Sequence, residues 1–293
     1  MIVSGSASQS LSAALAAELD EPLAEVAYDR FPDGELLASV PSLDDAGDAG
    51  AELNTERAVI VASTRSSDAH VEVLQLQDAL REAGVDEIVT VIPYMGYARQ
   101  DRAFESGHPV SARAVARAIS TGTDRVVTIN PHERAVCDFF EPTATPVDAA
   151  PVLAEPLPDE LADPVFLSPD EGAVEIAESV RDAHGAGTVD YFQKTRHSGT
   201  EVDVAPSDVA VADRDVVIVD DIVATGGTMS EAVDVCRGRD AARVFVGCVH
   251  PLLVRNAYGR LARAGVEAIV GTDTIEGPAS AVSVASVIAA ALE

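Results

Sequence analysis

The amino-acid sequence predicts a mainly parallel α/β fold built as two similar domains, and three observations predict it. Short apolar runs ending in small or polar residues alternate with amphipathic stretches of helical period, the pattern of parallel strands joined by helices. The two halves can be laid on one another: Ile2-Val3-Ser4 matches Phe166-Leu167-Ser168, and Val59-Ile60-Val61 matches Val217-Ile218-Val219. A match this short is also what two unrelated α/β units can show. Between the halves lies a Pro-rich stretch from Pro142 to Pro164, with Pro146, Pro151, Pro156 and Pro158, which reads as a crossing between domains. At 293 residues the chain is also long for one core, and domains of ~100–200 residues are the natural division.

Taken in order, Met1-Ile2-Val3-Ser4-Gly5 has no basic start and no long apolar run, so it reads as a first strand rather than a signal peptide. Ala58 to Ala62 is the next apolar run, followed by a helix from about Ala69 to Ala83 that Gly84 closes. A strand from Ile88 to Ile92, a helix from about Ser111 to Ile119 and a strand from Arg125 to Ile129 complete the first half. In the second half, Val165-Phe166-Leu167 leads into a helix from about Gly172 to Ala183. Val216-Val217-Ile218-Val219 leads into a helix from about Thr228 to Arg237, and Arg243 to Val249 follows as a strand. The Ala/Val-rich end, Ala279 to Leu292, reads as a last helix. Trp is absent and aromatics make up 4%, so Val, Ile, Leu and Ala must build the core.

Acidic residues outnumber basic ones by 49 to 20, a formal charge of −29. Such a chain repels nucleic-acid phosphates and anionic membranes, so no nucleic-acid or membrane partner is expected. No window reaches the ~18 apolar residues of a membrane span. The acid is scattered rather than gathered in a tail. This suggests a halophilic, salt-rich cytoplasm, where a Debye length of ~3 Å at 1 M screens self-repulsion; an ordinary acidic protein is the plain alternative. Cys137, Cys236 and Cys248 lie far apart without paired spacing, which suits a reducing cytosol and neither a disulfide framework nor a zinc site.

The sharpest local signal runs from Val216 to Thr228: an apolar strand, the pair Asp220-Asp221, then Ile222-Val223-Ala224-Thr225-Gly226-Gly227-Thr228 and a helix. In an open parallel sheet, ligands sit beyond the carboxyl ends of strands. Gly226 and Gly227 let backbone wrap a phosphate, Thr225 and Thr228 add hydroxyl donors, and the helix supplies free N–H groups and its positive end. The acids would repel a phosphate but accept hydrogen bonds from a sugar's vicinal hydroxyls, so one segment can hold a sugar phosphate by both ends. An acidic strand end followed by a Gly-rich turn is the bland alternative. Lys194 is the only lysine among 20 basic residues and lies two residues from Arg196, so a pressure that replaced lysine elsewhere spared it here. Gln193 rather than glycine precedes it, which excludes a Walker A loop, and Gly-x-Gly-x-x-Gly is absent too.

The order strand, acid pair, Thr-Gly-Gly-Thr, helix resembles the phosphoribosyl-pyrophosphate loop of phosphoribosyltransferases and pyrophosphokinases. Phe31-Pro32-Asp33-Gly34-Glu35, Pro93-Tyr94-Met95-Gly96-Tyr97-Ala98-Arg99-Gln100-Asp101-Arg102, Ser168-Pro169-Asp170 and Lys194-Thr195-Arg196 are similar to motifs of the ribose-phosphate pyrophosphokinases, in that family's order. The resemblance covers essentially the whole chain. It implies two type I phosphoribosyltransferase-like domains: residues 1–143 on the ATP side, 144–278 on the ribose 5-phosphate side, and 279–293 as a C-terminal helix packing on the first domain. It further implies transfer of the β,γ-diphosphoryl group of ATP to the C1 hydroxyl of ribose 5-phosphate.

By the same resemblance, Phe31, Asp33, Gly34, Glu35, Arg99 and Gln100 meet ATP, the hairpin residues often reaching across from a neighbouring subunit. Asp220, Asp221 and Ala224 to Thr228 hold the ribose 5-phosphate, together with Arg196. Lys194 and Arg196 lie on a mobile loop and are the catalytic pair, and His132 and Asp170 hold Mg²⁺. Without the resemblance, Phe31 to Glu35 is a plain turn and His132 more often a structural histidine than a ligand. Many relatives carry aspartate where this chain has Asn130, and a neutral amide weakens the local field for a metal. A cytoplasmic, dimer-based homo-oligomer is implied. The alternatives are a phosphoribosyltransferase, which would need only the Asp220–Thr228 loop, and a non-catalytic regulatory paralogue, which should have lost some of these residues.

Overall fold

A computed structural model describes residues 1–41, 56–196, 202–206 and 210–293, with the side chains of 193–196 and 202–206 outside the description. The chain divides into two units, Met1–Asp148 with Thr274–Glu276 and Ser283–Glu293, and Ala149–Asp273 with Gly277–Val282.

In the first unit, strands β1 (Ile2–Ser4), β4 (Arg57–Val61), β5 (Glu87–Ile92), β6 (Arg125–Ile129) and β7 (Thr143–Val147) form a parallel sheet in that order. The central strands are apolar on both faces, because helices cover both sides of a parallel sheet and leave no face to water. The covering helices include α1 (Gln9–Leu19), α2 (Ser67–Glu82) and α3 (Ser111–Ser120). Val3, Ile60, Ile88, Leu76, Leu80 and Ile119 share one core, and each such side chain stabilises by ~1.5–3 kcal/mol when fully buried. An antiparallel hairpin, β2 (Ala27–Arg30) and β3 (Leu36–Ser39), rests on α2, where the Gln75 amide pairs with Ala38 N and Leu36 O, both at 2.8 Å.

The second unit carries seven strands among the described residues. Their order is β10 (Val202–Pro206), β9 (Thr188–Arg196), β8 (Val165–Ser168), β11 (Asp215–Ile222), β12 (Arg243–His250), β13 (Ala268–Thr272) and β14 (Ser280–Val282). Only β9 and β10 pair antiparallel. Helices α4 (Val174–His184), α5 (Gly227–Arg237) and α6 (Ala257–Ala264) accompany it.

The two units share a register. Ile2 pairs with Val59 and Val3 with Ile60, just as Phe166 pairs with Val217 and Leu167 with Ile218. The next strand follows suit, with Val59 opposite Val89 and Val217 opposite Phe245. The short sequence match is therefore a repeat of architecture.

Several elements differ from the sequence expectation. Residues 280–282 join β13 as strand β14, so the last helix, α7, spans only Ala285–Leu292; it packs on α1, and the Leu292 carbonyl accepts from Arg57 Nη2 at 3.1 Å. The Pro-rich stretch contains β7, where Pro146 is tolerated because that strand lies at a sheet edge. Lys194 and Arg196, expected on a mobile loop, have their backbones in the β9–β10 ladder, opposite Val204 and Val202. Among the described residues no helix is long and apolar enough to cross a membrane, and the three cysteines are unpaired.

Candidate active site

Strand order locates the mouth of the second unit. From β8 the chain proceeds to β9 on one side, and from β11 to β12 on the other. Loops leaving these neighbours diverge and open a crevice at their carboxyl ends. Ser168-Pro169-Asp170 leaves β8 there, and Asp220 to Thr228 ends β11 and enters α5. Local sequence thus delivers both motifs to one end of one sheet.

The two acids sit within the last pairs of β11, with Asp220 opposite Cys248. Asp220 Oδ1 accepts from Asp221 N at 2.9 Å, and Asp221 Oδ1 accepts from Ile222 N at 2.8 Å. Burial first, then the neighbouring Asp221, then the charge of Asp170, hold the Asp220 carboxyl well above the ordinary carboxylate range. Asp170 caps the turn that follows it, Oδ1 accepting from Gly172 N at 3.1 Å. Asp221 and Asp170 thus both oppose charge on Asp220 at this mouth, which a hydroxyl donor or a cation beside it would relieve.

The loop beyond them presents donors. Gly226 caps α5 with φ +70°, a left-handed backbone that glycine adopts without strain, and it has no side chain to answer the helix N–H groups. Among the described residues, no protein acceptor receives the backbone N–H of Thr225, Gly226, Gly227, Thr228 or Met229. The corresponding helix of the first unit, α2, is instead finished from within: Ser66 Oγ accepts from Ala69 N at 3.2 Å. Behind the α5 loop, Leu253 N to Val223 O (2.9 Å) and Val254 N to Ala224 O (3.0 Å) hold its backbone in place. Sequence reasoning missed this strap, because nothing in residues 250–256 announces its partner.

In the first unit the candidates follow other strand ends. The Phe31–Glu35 segment is the tip of the β2–β3 hairpin, closed by Phe31 N to Glu35 O at 2.8 Å and by Glu35 N to Asp33 Oδ1 at 3.2 Å. Phe31 is 49% exposed there. Arg99 follows β5 and His132 follows β6, both exposed and both at the carboxyl end of adjacent parallel strands. Gly96 is needed for this turn, since a Cβ on it would lie 2.0 Å from the Thr64 carbonyl oxygen. Tyr97 follows with φ +65°.

The Arg99 guanidinium makes no hydrogen bond or ion pair among the described residues. Gln100 is committed: its Nε2 donates to Pro109 O at 3.2 Å and its Oε1 accepts from Ser111 Oγ at 2.7 Å, so its amide holds the approach to α3. Asn130 donates to Asp148 at 2.7 Å and so serves its own unit. His70, which carries no spacing signal in the sequence, packs under Tyr97 at 5.4 Å between ring centres, and burial lowers its pKa to about 4, so it is a neutral prop. The side chains of Lys194 and Arg196, like all of His197 and Ser198, lie outside the described residues.

Comparison with known proteins agrees with this architecture. Residues 1–122 match the N-terminal domain of ribose phosphate pyrophosphokinase, and 153–273 match the phosphoribosyl transferase domain. The chain is 63% identical over 292 residues to the ribose-phosphate pyrophosphokinase of Halobacterium salinarum, covering 100% of both. It is 43% identical over 292 residues to that of Methanosarcina mazei, covering 99% of this chain and 94% of the other. The crystal structure of phosphoribosylpyrophosphate synthetase from Mycobacterium smegmatis superposes with a TM-score of 0.81 at 26% identity, over 100% of this chain and 97% of that one. Two domains matched in order, on a chain that runs the full length of these relatives, establish that it belongs to the ribose-phosphate pyrophosphokinase family of enzymes.

Proposed function

We propose that this chain transfers the β,γ-diphosphoryl group of ATP to the C1 hydroxyl of ribose 5-phosphate, giving 5-phosphoribosyl 1-pyrophosphate and AMP. A bond forms from the C1 oxygen to the β-phosphorus as the C1 hydroxyl gives up its proton to solvent, the bond from that phosphorus to the oxygen bridging to the α-phosphorus breaks, and AMP leaves with the electron pair. The observation that carries the sugar-phosphate assignment is the run of unanswered N–H groups from Thr225 to Met229, beside the carboxylates Asp220 and Asp221. Ala224 to Thr228 receive the 5-phosphate, and the two aspartates accept from the ribose hydroxyls.

Phe31, Asp33, Gly34, Glu35, Arg99 and Gln100 are assigned to ATP. The uncommitted Arg99 fork suits phosphate oxygens, and Gln100 acts by shaping its loop. Lys194 and Arg196 stabilise charge on the group in flight. His132 on the first unit and Asp170 on the second are each assigned to Mg²⁺. Among the described residues no three His, Cys, Asp or Glu side chains form a metal-binding group, and the donor set still fits this ion: Mg²⁺ is commonly held by one or two carboxylates with substrate phosphates completing its shell. When bound, it neutralises phosphate charge and aligns the oxygens. The protein's own part is alignment of two substrates and fixed charge.

The half-exposed Phe31 at a hairpin tip supports a dimer-based assembly in which that ring finds a neighbouring subunit. Unpaired cysteines and the acidic composition support a reducing, salt-rich cytoplasm. A coupled assay for AMP made from ATP and ribose 5-phosphate tests the activity. Turnover of the wild type is expected, with Lys194→Ala folding normally and losing at least ~10²-fold. Pyrophosphate release that depends on a nucleobase, with no AMP formed, would instead indicate a phosphoribosyltransferase.

A further inference from the structure

The loop proposed to hold the 5-phosphate has a neighbour that the sequence motifs do not include. Helix α6 packs against α5, anchored by the fully buried Leu261. On the face towards the loop, Ala257 approaches Gly226 so closely that a Cβ there would lie 3.5 Å from the Ala257 Cβ. Arg260 lies three residues on, one helical turn along the same face. Its Nη1 sits 3.4 Å from where a Gly227 Cβ would be, so the absent side chain at 227 leaves room for a guanidinium beside the loop backbone.

Arg260 is also uncommitted. Three arginines of this unit are held elsewhere: Arg243 by Asp215, Arg214 by Asp163, and Arg237 by the Gly265 carbonyl. Among the described residues Arg260, like Arg239, Arg255 and Arg263, is not, and of these four it is the one placed beside the loop glycines. The Arg260 side chain is exposed and makes no hydrogen bond or ion pair among the described residues. It stands next to the five N–H groups that lack acceptors, and near two aspartates that would repel a dianion. Neutral amides alone answer a phosphate monoester incompletely; a guanidinium adds full charge and a fork that matches two phosphate oxygens.

We propose that Arg260 is a phosphate-binding residue for the 5-phosphate of the sugar substrate, and that it sets the preference for a phosphorylated over an unphosphorylated pentose. This rests on the sugar-phosphate reading of the Asp220–Thr228 loop. The test compares wild type, Arg260→Ala and Arg260→Lys, varying ribose 5-phosphate at saturating Mg-ATP and then the reverse. The expected result is a KM for ribose 5-phosphate raised roughly tenfold in Arg260→Ala with kcat within about twofold, an unchanged KM for ATP, and partial recovery in Arg260→Lys. A KM for ribose 5-phosphate within about twofold of wild type in Arg260→Ala overturns the proposal, as does an equal rise in the KM for ATP. Calorimetric titration of ribose 5-phosphate into each protein separates the two levels of inference. If the wild type makes no AMP yet binds the sugar phosphate and Arg260→Ala binds it about tenfold more weakly, the reaction is wrong and Arg260 stands. If binding is equal in the two proteins, Arg260 falls and the loop does not.

Discussion

Asp220 places a carboxyl beside a second carboxyl at the end of a strand, in surroundings that disfavour its charge. In the folded chain it gives up its proton at higher pH than in the unfolded one. The fold is therefore favoured by this group below the ordinary carboxylate range, and loses that advantage as pH rises through the raised folded value. At neutral pH the wild type bears the cost of moving an aspartate, ionised in the unfolded chain, into these surroundings. Asp220→Asn removes the charge and keeps the shape. Its midpoint of thermal unfolding should exceed the wild type's at neutral pH, by ~2–4 °C for each kcal/mol relieved, with the gap closing in mild acid, while AMP formation collapses. Thermal scans at both pH values beside the AMP assay check this; a variant less stable than wild type at neutral pH would show that the acid is not a strained group. At this scale the sequence was legible where the chemistry is contiguous. Asp220 to Thr228 could be read off as one unit, whereas the commitment of Gln100 to Pro109 and Ser111, and the closeness of Arg260 to Gly227, depend on chain returns that no local pattern encodes.

Across β11 and β12, Asp215 and Arg243 close the opposite end of the same strands from the mouth. Two bonds join them, at 2.9 and 2.6 Å, and Asp215 Oδ2 also accepts from Ala162 N at 2.6 Å. The guanidinium bonds above all hold the Asp215 carboxyl below its ordinary range. Its contribution is thus present above the unfolded carboxylate pKa and is lost as pH falls through the depressed folded value. Asp215→Ala should lower the unfolding midpoint at neutral pH by roughly 4–8 °C and flatten the loss of stability below about pH 4, as followed by circular dichroism. Among elements, strands that are apolar on both faces were legible because their composition admits little else. The β2–β3 hairpin, β7, β9 and β10 were not. Their residues are mixed or include proline, and what makes them strands is a partner edge rather than their own preference. Ser280 to Val282 was absorbed into the last helix for the same reason: a small apolar run accepts either period, and the free edge of β13 decides.

For the molecule as a whole, a charge of −29 on 293 residues makes self-repulsion a global term rather than a local one. The unfolding midpoint should rise on the order of 10 °C between dilute buffer and molar KCl as the screening length falls to ~3 Å. A midpoint indifferent to KCl would remove the halophilic reading. The duplicated register joins this scale to the previous ones, since one scaffold serves twice with different contents. After β4 the first unit carries Ala62 and Ser63 where the second carries Asp220 and Asp221, as their shared register aligns them. The helix that follows is sealed by Ser66 in one copy and left open at Gly226 in the other. With glycine at the cap, the missing side-chain bond costs only roughly a few tenths of a kcal/mol, so the second copy keeps the opening with little loss of stability. On the proposed reading of that loop, a bound sugar phosphate would serve as a structural part as well as a reactant: at a hundred times its Kd it would add ~2.7 kcal/mol of stability. At this one helix end the first copy supplies its own acceptor, and the second leaves the place to a ligand that the proposed reaction would bring.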